Sequence, residues 1–382
     1  MKQKENKGTW NGGSAPWVKN VSIALLAVLI HWVIMYIAYV VWRLAGDQSV
    51  SGFAMDLYHR WEEAGDIPHY VNIAKHWYHA TGDNANEIVF FPLYPMLMKV
   101  VYLFCRNYVM AGVLVSNLCL AVGSVYFFRL LEMEYDSTCA WEGFFLLQLF
   151  PVGFFMIGAY TESLFIMLTA ICLYYIRKER WIVVGIVGML AALSRSQGIV
   201  LLVPAVYEIC LRFRAKEHRT WTAAGVCLIP VGTLLYLAMN QVIYGRWNAF
   251  IDFQAAEPWY NTSHWIAENL TQHYSMGIQY PYLGVFIYWA QILLYFGAML
   301  LLFYGLHQKV RTSYVALSGA YIFVTYLHGW MISGPRYMMS CLPLYLIVAS
   351  GLGKAGKRVL FIAFGILAVF FHMWYLQGQA IM

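Results

Sequence analysis

The sequence predicts an all-α polytopic membrane protein, and three observations lead to that prediction. Of its 382 residues, 61% are hydrophobic and only 12% are charged, whereas soluble domains carry about 25% charged residues. Several stretches run for about 20 residues without a charge, the length that a helix needs to cross a bilayer. The basic residues sit mostly in short runs between these stretches, where they set topology. A soluble enzyme, a secreted disulfide scaffold and a disordered protein are therefore excluded, and the net charge of +6 does not indicate nucleic-acid binding.

Eleven apolar segments are predicted to be transmembrane helices. They cover residues 20–43, 108–128, 141–159, 161–176, 181–194, 199–211, 221–243, 283–306, 312–331, 336–352 and 359–377. With the N-terminus in the cytoplasm, 17 basic residues, from Lys2 to Arg358, fall on the cytoplasmic side and seven on the far side. This bias is the one that the positive-inside rule predicts.

Two long loops are predicted on the non-cytoplasmic side, at about 44–90 and 244–282. The first is acidic, and the second is rich in Trp, Tyr and His. Segment 90–106 has two prolines near its start and is too short for a full span, so we expect a half-inserted or interfacial helix there. No domain boundary is visible, and residues 1–382 are predicted to form a single transmembrane unit.

Polar residues beside the predicted spans gather at the non-cytoplasmic ends. Such residues are costly at membrane depth, so each is a candidate for function. They are Asp66, the segment 90–95 with Phe91 and Tyr94, Glu162, Arg195, Gln197, Gln254, Arg336 and Tyr337. The cytoplasmic connections are plain basic turns by comparison. The sequence therefore predicts one active face that looks away from the cytoplasm.

Asp66 precedes Pro68, which suits the first position of a helix. The carboxylate would then lie at the positive end of the helix dipole. It could be a helix cap only, or a general base over a water-excluded cleft. His69 follows three residues later and could face the same cleft, whereas Glu62 and Glu63 fit a solvated loop face. Further along, Ile73, Ala74 and Trp77 would form an apolar face suited to the membrane interface.

Arg195 and Arg336 are the predicted anion ligands, because a guanidinium binds phosphate through two parallel hydrogen bonds. Two of them at one membrane face suit a phosphate headgroup whose lipid tail stays in the bilayer. Alternatively, they pair with Glu162 or Asp252, or anchor the span ends. Glu162 could orient a sugar hydroxyl, neutralise Arg195, or cap its helix.

The cysteines and histidines do not predict a metal site. The seven cysteines have no C-x-x-C spacing, and histidines such as His264, His273 and His328 lack ligand spacing, whereas zinc needs about four convergent ligands. We expect neither a metal nor a cofactor. The aromatic residues of 247–289 could be an interfacial belt or platforms for sugar rings.

Several motifs together resemble the PIG-V family, the GPI mannosyltransferase 2 proteins and their bacterial relatives, in the GT-C class of membrane glycosyltransferases. They occur in the family's order over residues 55–345: D-I-P-H-Y-V-N-I-A at 66–74, F-F-P-L-Y-P at 90–95, Y-T-E-S at 160–163, S-R-S-Q-G at 194–198, Y-G-R at 244–246 leading to Gln254, and G-P-R-Y at 334–337. One departure concerns the residue before the aspartate, which is usually Trp in the family and is Gly65 here.

The resemblance implies a GT-C-type fold with about 11 transmembrane helices and long non-cytoplasmic loops that carry short interfacial helices. It implies a polyprenyl-phosphate-sugar donor, typically of mannose, a glycan or glycolipid acceptor, and an inverting reaction at the non-cytoplasmic face of a bacterial plasma membrane or an endoplasmic reticulum membrane. Asp66 would be the catalytic base, and Arg195 and Arg336 would bind the donor phosphate. Substrate-binding roles fall to His69, Tyr70, Phe91, Tyr94, Glu162, Gln197, Gln254 and Tyr337.

Two other classes of function are weighed against this one. A lipid-linked-sugar transporter would need polar groups through the membrane midplane, and here they gather at one face. A non-catalytic scaffold for a transferase would tolerate the loss of Asp66. Within the enzyme hypothesis, glucose, arabinose and aminoarabinose remain open as the sugar.

Overall fold

The computed structural model describes residues 16–214, 221–280, 285–329 and 333–379. Within these ranges the chain is helical, with no strand beyond an isolated β-bridge between Ser263 and His328, which confirms the predicted all-α class. Lys2, Lys4, Lys7, Lys216 and Arg219, which the topology prediction used, lie outside the described residues. So do residues 283–284 and 330–331 of two predicted spans.

The first half of the chain contains two long helices and several short ones. In order they are α1 (Pro16–Ala45), α2 (Phe53–Glu63), α3 (Ile67–His76), a 3₁₀ helix (Asp83–Val89), α4 (Leu93–Cys105), α5 (Tyr108–Glu134), α6 (Ser137–Gln148), α7 (Phe154–Ile157), α8 (Glu162–Arg177) and α9 (Trp181–Ser194).

The second half repeats the mixture of long and short helices. It contains a 3₁₀ helix (Ser196–Leu201), α10 (Leu202–Arg214), a 3₁₀ helix (Trp221–Cys227), α11 (Leu228–Tyr244), α12 (Ala249–Ala255), α13 (Ile266–Gln279), a π-helical turn (Val285–Trp289), α14 (Ala290–His307), α15 (Thr312–Tyr326), α16 (Gly334–Met339), α17 (Leu342–Gly351) and α18 (Lys354–Leu376).

Six described helical stretches are long and apolar enough to cross a membrane, which makes the chain an integral membrane protein. They are Pro16–Ala45, Tyr108–Glu134, Ser196–Arg214, Trp221–Tyr244, Ile287–His307 and Lys354–Leu376. The other predicted spans coincide with shorter or interrupted helices, so fewer full-length crossings are present than the eleven predicted. Proline explains two interruptions, because Pro151 follows the end of α6 and Pro343 lies at the start of α17, and proline cannot continue a helical hydrogen-bond ladder.

Segment 90–106 forms a sharp bend rather than a straight span. The 3₁₀ helix Asp83–Val89 and α4 meet at 109° and could make a seventh, broken span or a re-entrant loop. Pro92 immediately precedes α4, as the position of the prolines predicts. Tyr94, Pro95 and Met98 are buried on one face of α4, whereas Phe104 is 84% exposed. Half-insertion of α4 stays a prediction.

Helix α3 packs into the protein and not onto a membrane interface. Ile73 and Ala74, predicted to face the interface, are buried in the core together with Tyr70. Since α3 packs against α4, its apolar face is covered by protein. The helix begins at Ile67, so Pro68 occupies its second position.

Helices α8 and α9 place the polar motifs at one end of the bundle. Helix α8 packs along α5 on one side and against α9 on another. It begins at Glu162 and ends at Arg177, and α9 runs back to Ser194, directly before Arg195. Glu162 and Arg195 therefore share one end, and Arg177 lies about 22 Å away at the other.

The far end of α8 is tied to three other helices by charged groups. Arg177 pairs with Glu134 at the end of α5, and Glu134 also accepts a hydrogen bond from the Tyr314 hydroxyl at 2.7 Å. Arg311 donates to both carboxylate oxygens of Glu208, at 3.0 and 3.1 Å. We call Glu134, Arg177, Glu208, Arg311 and Tyr314 the distal network.

Candidate active site

Three separate parts of the chain meet at the site end of α8. Asp66 comes just before α3, Arg195 follows α9, and Arg336 lies in α16. Arg195 and Arg336 both contact Glu162, the first residue of α8, and Asp66 joins them through Arg336. Residues separated by up to 270 positions thus form one charged chain.

Arg336 connects the two carboxylates of this chain. Its Nη1 donates to Asp66 Oδ2 at 2.6 Å, and its Nε donates to Glu162 Oε1. The guanidinium carbon also lies 4.6 Å from the centroid of the Phe155 ring, a distance that suits a cation–π contact. Arg336 is only 7% exposed, so its charge is held by carboxylates and aromatic rings and not by bulk water.

Glu162 and Arg195 complete the chain at its buried end. Glu162 is fully buried, and Arg195 Nη1 lies 3.1 Å from its Oε1 without hydrogen-bond alignment. The Arg195 guanidinium carbon lies 4.9 Å from the centroid of the Tyr337 ring. The pairing of both arginines with Glu162, one of the alternatives drawn from the sequence, is therefore observed, whereas Asp252 pairs with Arg246.

Asp66 does not act as a side-chain helix cap. It occupies the N-cap position of α3, but its carboxylate makes no cap hydrogen bond and contacts Arg336 instead. Gly65 has φ of +50°, a left-handed conformation that costs glycine little and a tryptophan much more. This geometry gives a physical reason for glycine at the position that is Trp in the PIG-V motif.

A cavity of about 310 Å³ opens beside this charged chain. Eight residues singled out from the sequence line it: Asp66, Tyr70, Phe91, Arg195, Gln197, Gln254, Arg336 and Tyr337. Asp66 has 23% of its side chain exposed, so its carboxylate is reachable from the cavity. Burial, and next the Asp66 charge, raise the pKa of Tyr70, which keeps its phenol protonated as a neutral hydrogen-bonding group.

Three residues predicted to bind substrate are absent from the cavity lining, namely His69, Tyr94 and Glu162. His69 lies beside the lining, where its Nδ1 contacts buried Glu87 at 3.1 Å and its ring stacks on Phe90. Tyr94 is fully buried between helices, where its hydroxyl bonds to the Gly112 carbonyl at 2.9 Å. Contact of these side chains with substrate stays a prediction.

Segment 85–90 forms one side of the cavity and is fixed by four side-chain donors. Each donates to one backbone carbonyl: Tyr244 to Ala85 (2.8 Å), Trp259 to Asn86 (3.3 Å), Tyr236 to Ile88 (2.5 Å) and Tyr78 to Phe90 (2.6 Å). Asn72 adds a hydrogen bond to the Glu87 carboxylate at 2.7 Å. This irregular stretch therefore has a defined conformation, which positions Phe90 and Phe91 at the cavity.

The second loop contributes residues that the sequence did not single out one by one. Trp259 and Asn261 line the cavity, and so does His328 from the end of α15. The β-bridge between Ser263 and His328, with a 3.0 Å hydrogen bond from the His264 amide to the Leu327 carbonyl, joins the two segments. Trp259 therefore belongs to the cavity lining. In the sequence, the feature that pointed to the cavity residues of the second loop is the high aromatic content of 247–289.

Metal binding finds no support in the part of the chain that the structure describes. No group of three or more His, Cys, Asp or Glu side chains there is placed to hold a metal ion.

Comparison with known proteins identifies one structural likeness. No family model matches the sequence, and a search of curated proteins gave no match. Among solved structures, the chain is similar to the crystal structure of ArnT from Cupriavidus metallidurans bound to undecaprenyl phosphate, with 14% identity and a TM-score of 0.45. The alignment covers 96% of this chain and 78% of that one. This identity is too low to carry residue roles from that protein to this chain.

Proposed function

We propose that the protein is a GT-C-type glycosyltransferase that moves a sugar from a polyprenyl-phosphate donor to a glycan or glycolipid acceptor at the non-cytoplasmic face. The observation that carries the proposal is the charged chain Asp66–Arg336–Glu162–Arg195 beside a cavity in a membrane protein. It offers a carboxylate for proton transfer and two guanidinium groups for a phosphate within one site. The PIG-V-like motifs, which contain all four residues, support the same reaction.

In this reaction Asp66 accepts the proton of the acceptor hydroxyl as its oxygen attacks the anomeric carbon. The bond between that carbon and the phosphate oxygen breaks, and lipid phosphate leaves with the electron pair. Arg195 and Arg336 stabilise the charge that develops on the leaving phosphate, an interaction that is strong because both groups are withdrawn from water. Arg336 must then shift part of its hydrogen bonding from the carboxylates to the phosphate.

Mannose is the sugar we propose first, because it is the usual donor sugar of the family that the motifs resemble. Sugar identity depends on contacts to individual hydroxyl groups, so glucose, arabinose and aminoarabinose belong in the same assay. Lipid phosphate release is common to all of them and can be followed separately.

The direct test offers radiolabelled polyprenyl-phosphate-mannose and a panel of glycan and lipid acceptors to the detergent-purified chain. Asp66→Asn keeps the shape of the side chain but removes the base, and we expect transfer to fall at least 100-fold. Arg336→Lys keeps the positive charge but loses the planar guanidinium group, which contacts two carboxylates in this structure. We expect the rate of sugar transfer to fall at least tenfold. Glu62→Gln, on the exposed part of the same loop, is the matched control.

Equal transfer by wild type and Asp66→Asn would remove Asp66 as the base and direct attention to Glu162. Unchanged turnover in Arg336→Lys would contradict bidentate binding of the phosphate by the Arg336 guanidinium. The transferase proposal is wrong if the folded wild type shows none of three activities with any donor sugar tested. These are sugar transfer, donor hydrolysis and binding of polyprenyl phosphate. Movement of the labelled donor across vesicle membranes without transfer would favour the transporter.

A further inference from the structure

Two chemically different groups of side chains line the cavity. Among the described residues, its charged lining side chains are Asp66, Arg195 and Arg336, which we call the ionic wall. Among its uncharged lining residues, we call Phe90, Phe91, Gln254, Trp259, Asn261 and His328 the uncharged wall.

The uncharged wall is built from three segments that hold one another. Trp259 donates to the Asn86 carbonyl at 3.3 Å, and its ring meets the Phe90 ring edge-on at a centroid distance of 5.2 Å. The backbone N–H of Asn261 donates to the backbone carbonyl of Gln254 at 2.7 Å. This hydrogen bond fixes the backbones of the two residues relative to each other. The β-bridge at Ser263 brings His328 to the same side. A site fixed by so many contacts binds without first having to be ordered.

The chemistry of the uncharged wall suits a neutral, hydroxylated ring. Aromatic faces carry partial negative charge and attract the weakly positive C–H groups on the face of a sugar. Amide and imidazole groups both donate and accept hydrogen bonds, which matches hydroxyl groups. A charged substituent placed there would be desolvated without an opposite charge, which is costly. Two carboxylates near this wall already have partners: Glu87 contacts His69 and Asn72, and Asp252 pairs with exposed Arg246.

We infer that the uncharged wall is a subsite for a neutral pyranose ring and discriminates against sugars that carry an amine or a carboxylate. This inference rests on the proposed function for its role in transfer, and the ring could belong to the donor or to the acceptor. Trp259 and Gln254 are specificity-determining residues in this assignment. The ionic wall, by contrast, holds the reacting phosphate end.

The first experiment measures binding without catalysis. Saturation-transfer difference NMR on the full detergent-purified chain compares methyl mannopyranoside with a 6-amino-6-deoxy methyl glycoside and a methyl glucuronide. We expect transfer of saturation to the neutral glycoside and at least a fivefold weaker effect for the charged ones. Trp259→Ala should abolish the saturation transfer to methyl mannopyranoside. Trp259→Phe should retain it, since Phe keeps an aromatic face. Trp265→Ala, which is 69% exposed on the same loop and outside the cavity lining, is the matched control.

The second experiment measures steady-state transfer from polyprenyl-phosphate-mannose with Trp259→Ala. A tenfold or greater rise of the acceptor KM with kcat little changed places the acceptor ring on the uncharged wall, and the same rise in the donor KM places the donor sugar there. Either result supports the subsite. Equal binding of charged and neutral glycosides, or unchanged binding and kinetics in folded Trp259→Ala, would overturn it. Because the NMR experiment needs no turnover, an absence of transfer with intact neutral-sugar binding would remove the proposed reaction but not the subsite.

Discussion

Glu162 balances the charge of the site. Asp66 and Glu162 carry two negative charges and Arg195 and Arg336 two positive ones, so the four residues sum to zero. Glu162 is fully buried and its Oε2 has no hydrogen-bond partner among the described residues. A phosphate monoester, the product of the proposed reaction, carries close to two negative charges at pH 7. A neutral site holds such a product less tightly than a cationic one, which favours its release.

Glu162→Gln is therefore expected to strengthen product binding. The substitution keeps the shape of the side chain and raises the net charge of the site by one. We expect the Kd for polyprenyl phosphate to fall about tenfold, equivalent to about 1.4 kcal/mol, and kcat to fall because release slows. Binding is measured by fluorescence competition and kcat by sugar transfer. Glu62→Gln should leave both unchanged, and weaker binding of polyprenyl phosphate by folded Glu162→Gln would contradict the charge-balance argument.

At the scale of elements, segment 85–90 links cavity shape to helix α11. Tyr236 and Tyr244 of α11 both donate to carbonyls of this segment, and the Tyr236 ring stacks on Phe91 at a centroid distance of 4.0 Å. Because the segment is bonded to α11, a movement of α11 would move the segment and change the shape of the cavity. It also explains why Glu87 is buried in an acidic loop: its carboxylate accepts hydrogen bonds that hold the segment against α3.

Tyr236→Phe tests this role, since it preserves the ring stack and removes only the hydroxyl. The buried Ile88 carbonyl then loses its donor, at a cost of about 1–3 kcal/mol. We expect faster hydrogen–deuterium exchange across residues 85–91 and a several-fold rise in substrate KM, with the far end of the bundle unaffected. Tyr274→Phe, on the exposed side of α13, serves as the comparison. Identical exchange in wild type and Tyr236→Phe would show that the hydrogen bond does not hold the segment.

Gly198 shows a second way in which an element shapes the site. A Cβ atom at this position would lie 2.2 Å from the Ala191 backbone carbon, so the 3₁₀ turn can fold back onto α9 only with glycine. This close packing of the 3₁₀ helix against α9 sets the path of the backbone after Arg195, and Gln197 lies at the cavity as a result. The S-R-S-Q-G motif thus has a steric basis as well as a chemical one.

At the scale of the molecule, the site and the distal network occupy opposite ends of α8. The distal network joins α5, α8, α10 and α15 through charges that are mostly withdrawn from solvent. Removing one member of a buried pair leaves the other uncompensated, which typically costs about 3–5 kcal/mol. This end of the bundle is therefore a source of stability, and none of the five residues of the distal network belongs to the cavity lining.

Arg311→Ala is expected to lower stability without changing the site. Among the described residues, Glu208 would keep its 2.6 Å hydrogen bond from Ser313. Because Arg311 is 22% exposed, the cost should lie at or below the lower end of that range, about 2–3 kcal/mol. Thermal unfolding in detergent should show a lower Tm, whereas the Kd for polyprenyl phosphate should not change. Arg246→Ala removes a half-exposed ion pair and should cost at most about 1 kcal/mol. A Tm equal to wild type in Arg311→Ala would rule out the stabilising role.

The sequence predicted the charged part of the site better than the rest of it. Asp66, Glu162, Arg195 and Arg336 stand out because charges at the ends of apolar helices need a reason to be there. His69 is absent from the cavity lining, because a three-residue spacing does not determine which side of α3 faces the cavity. His328 was missed because its position depends on a bridge to Ser263 across 65 residues. More full spans were predicted than the six unbroken ones found among the described residues, because apolar composition does not reveal breaks such as the one before Pro151.

The order in which the charged chain is synthesised has a consequence for membrane insertion. Glu162 emerges from the ribosome 174 residues before Arg336, which at about 5–20 residues per second is a delay of roughly 9–35 s. Arg195 follows only 33 residues after Glu162, so it is the first partner available to that carboxylate. We therefore expect Arg195 to neutralise the start of α8 during translation, well before Arg336 is synthesised and completes the site. Substitution of Arg195 would accordingly impair biogenesis as well as binding.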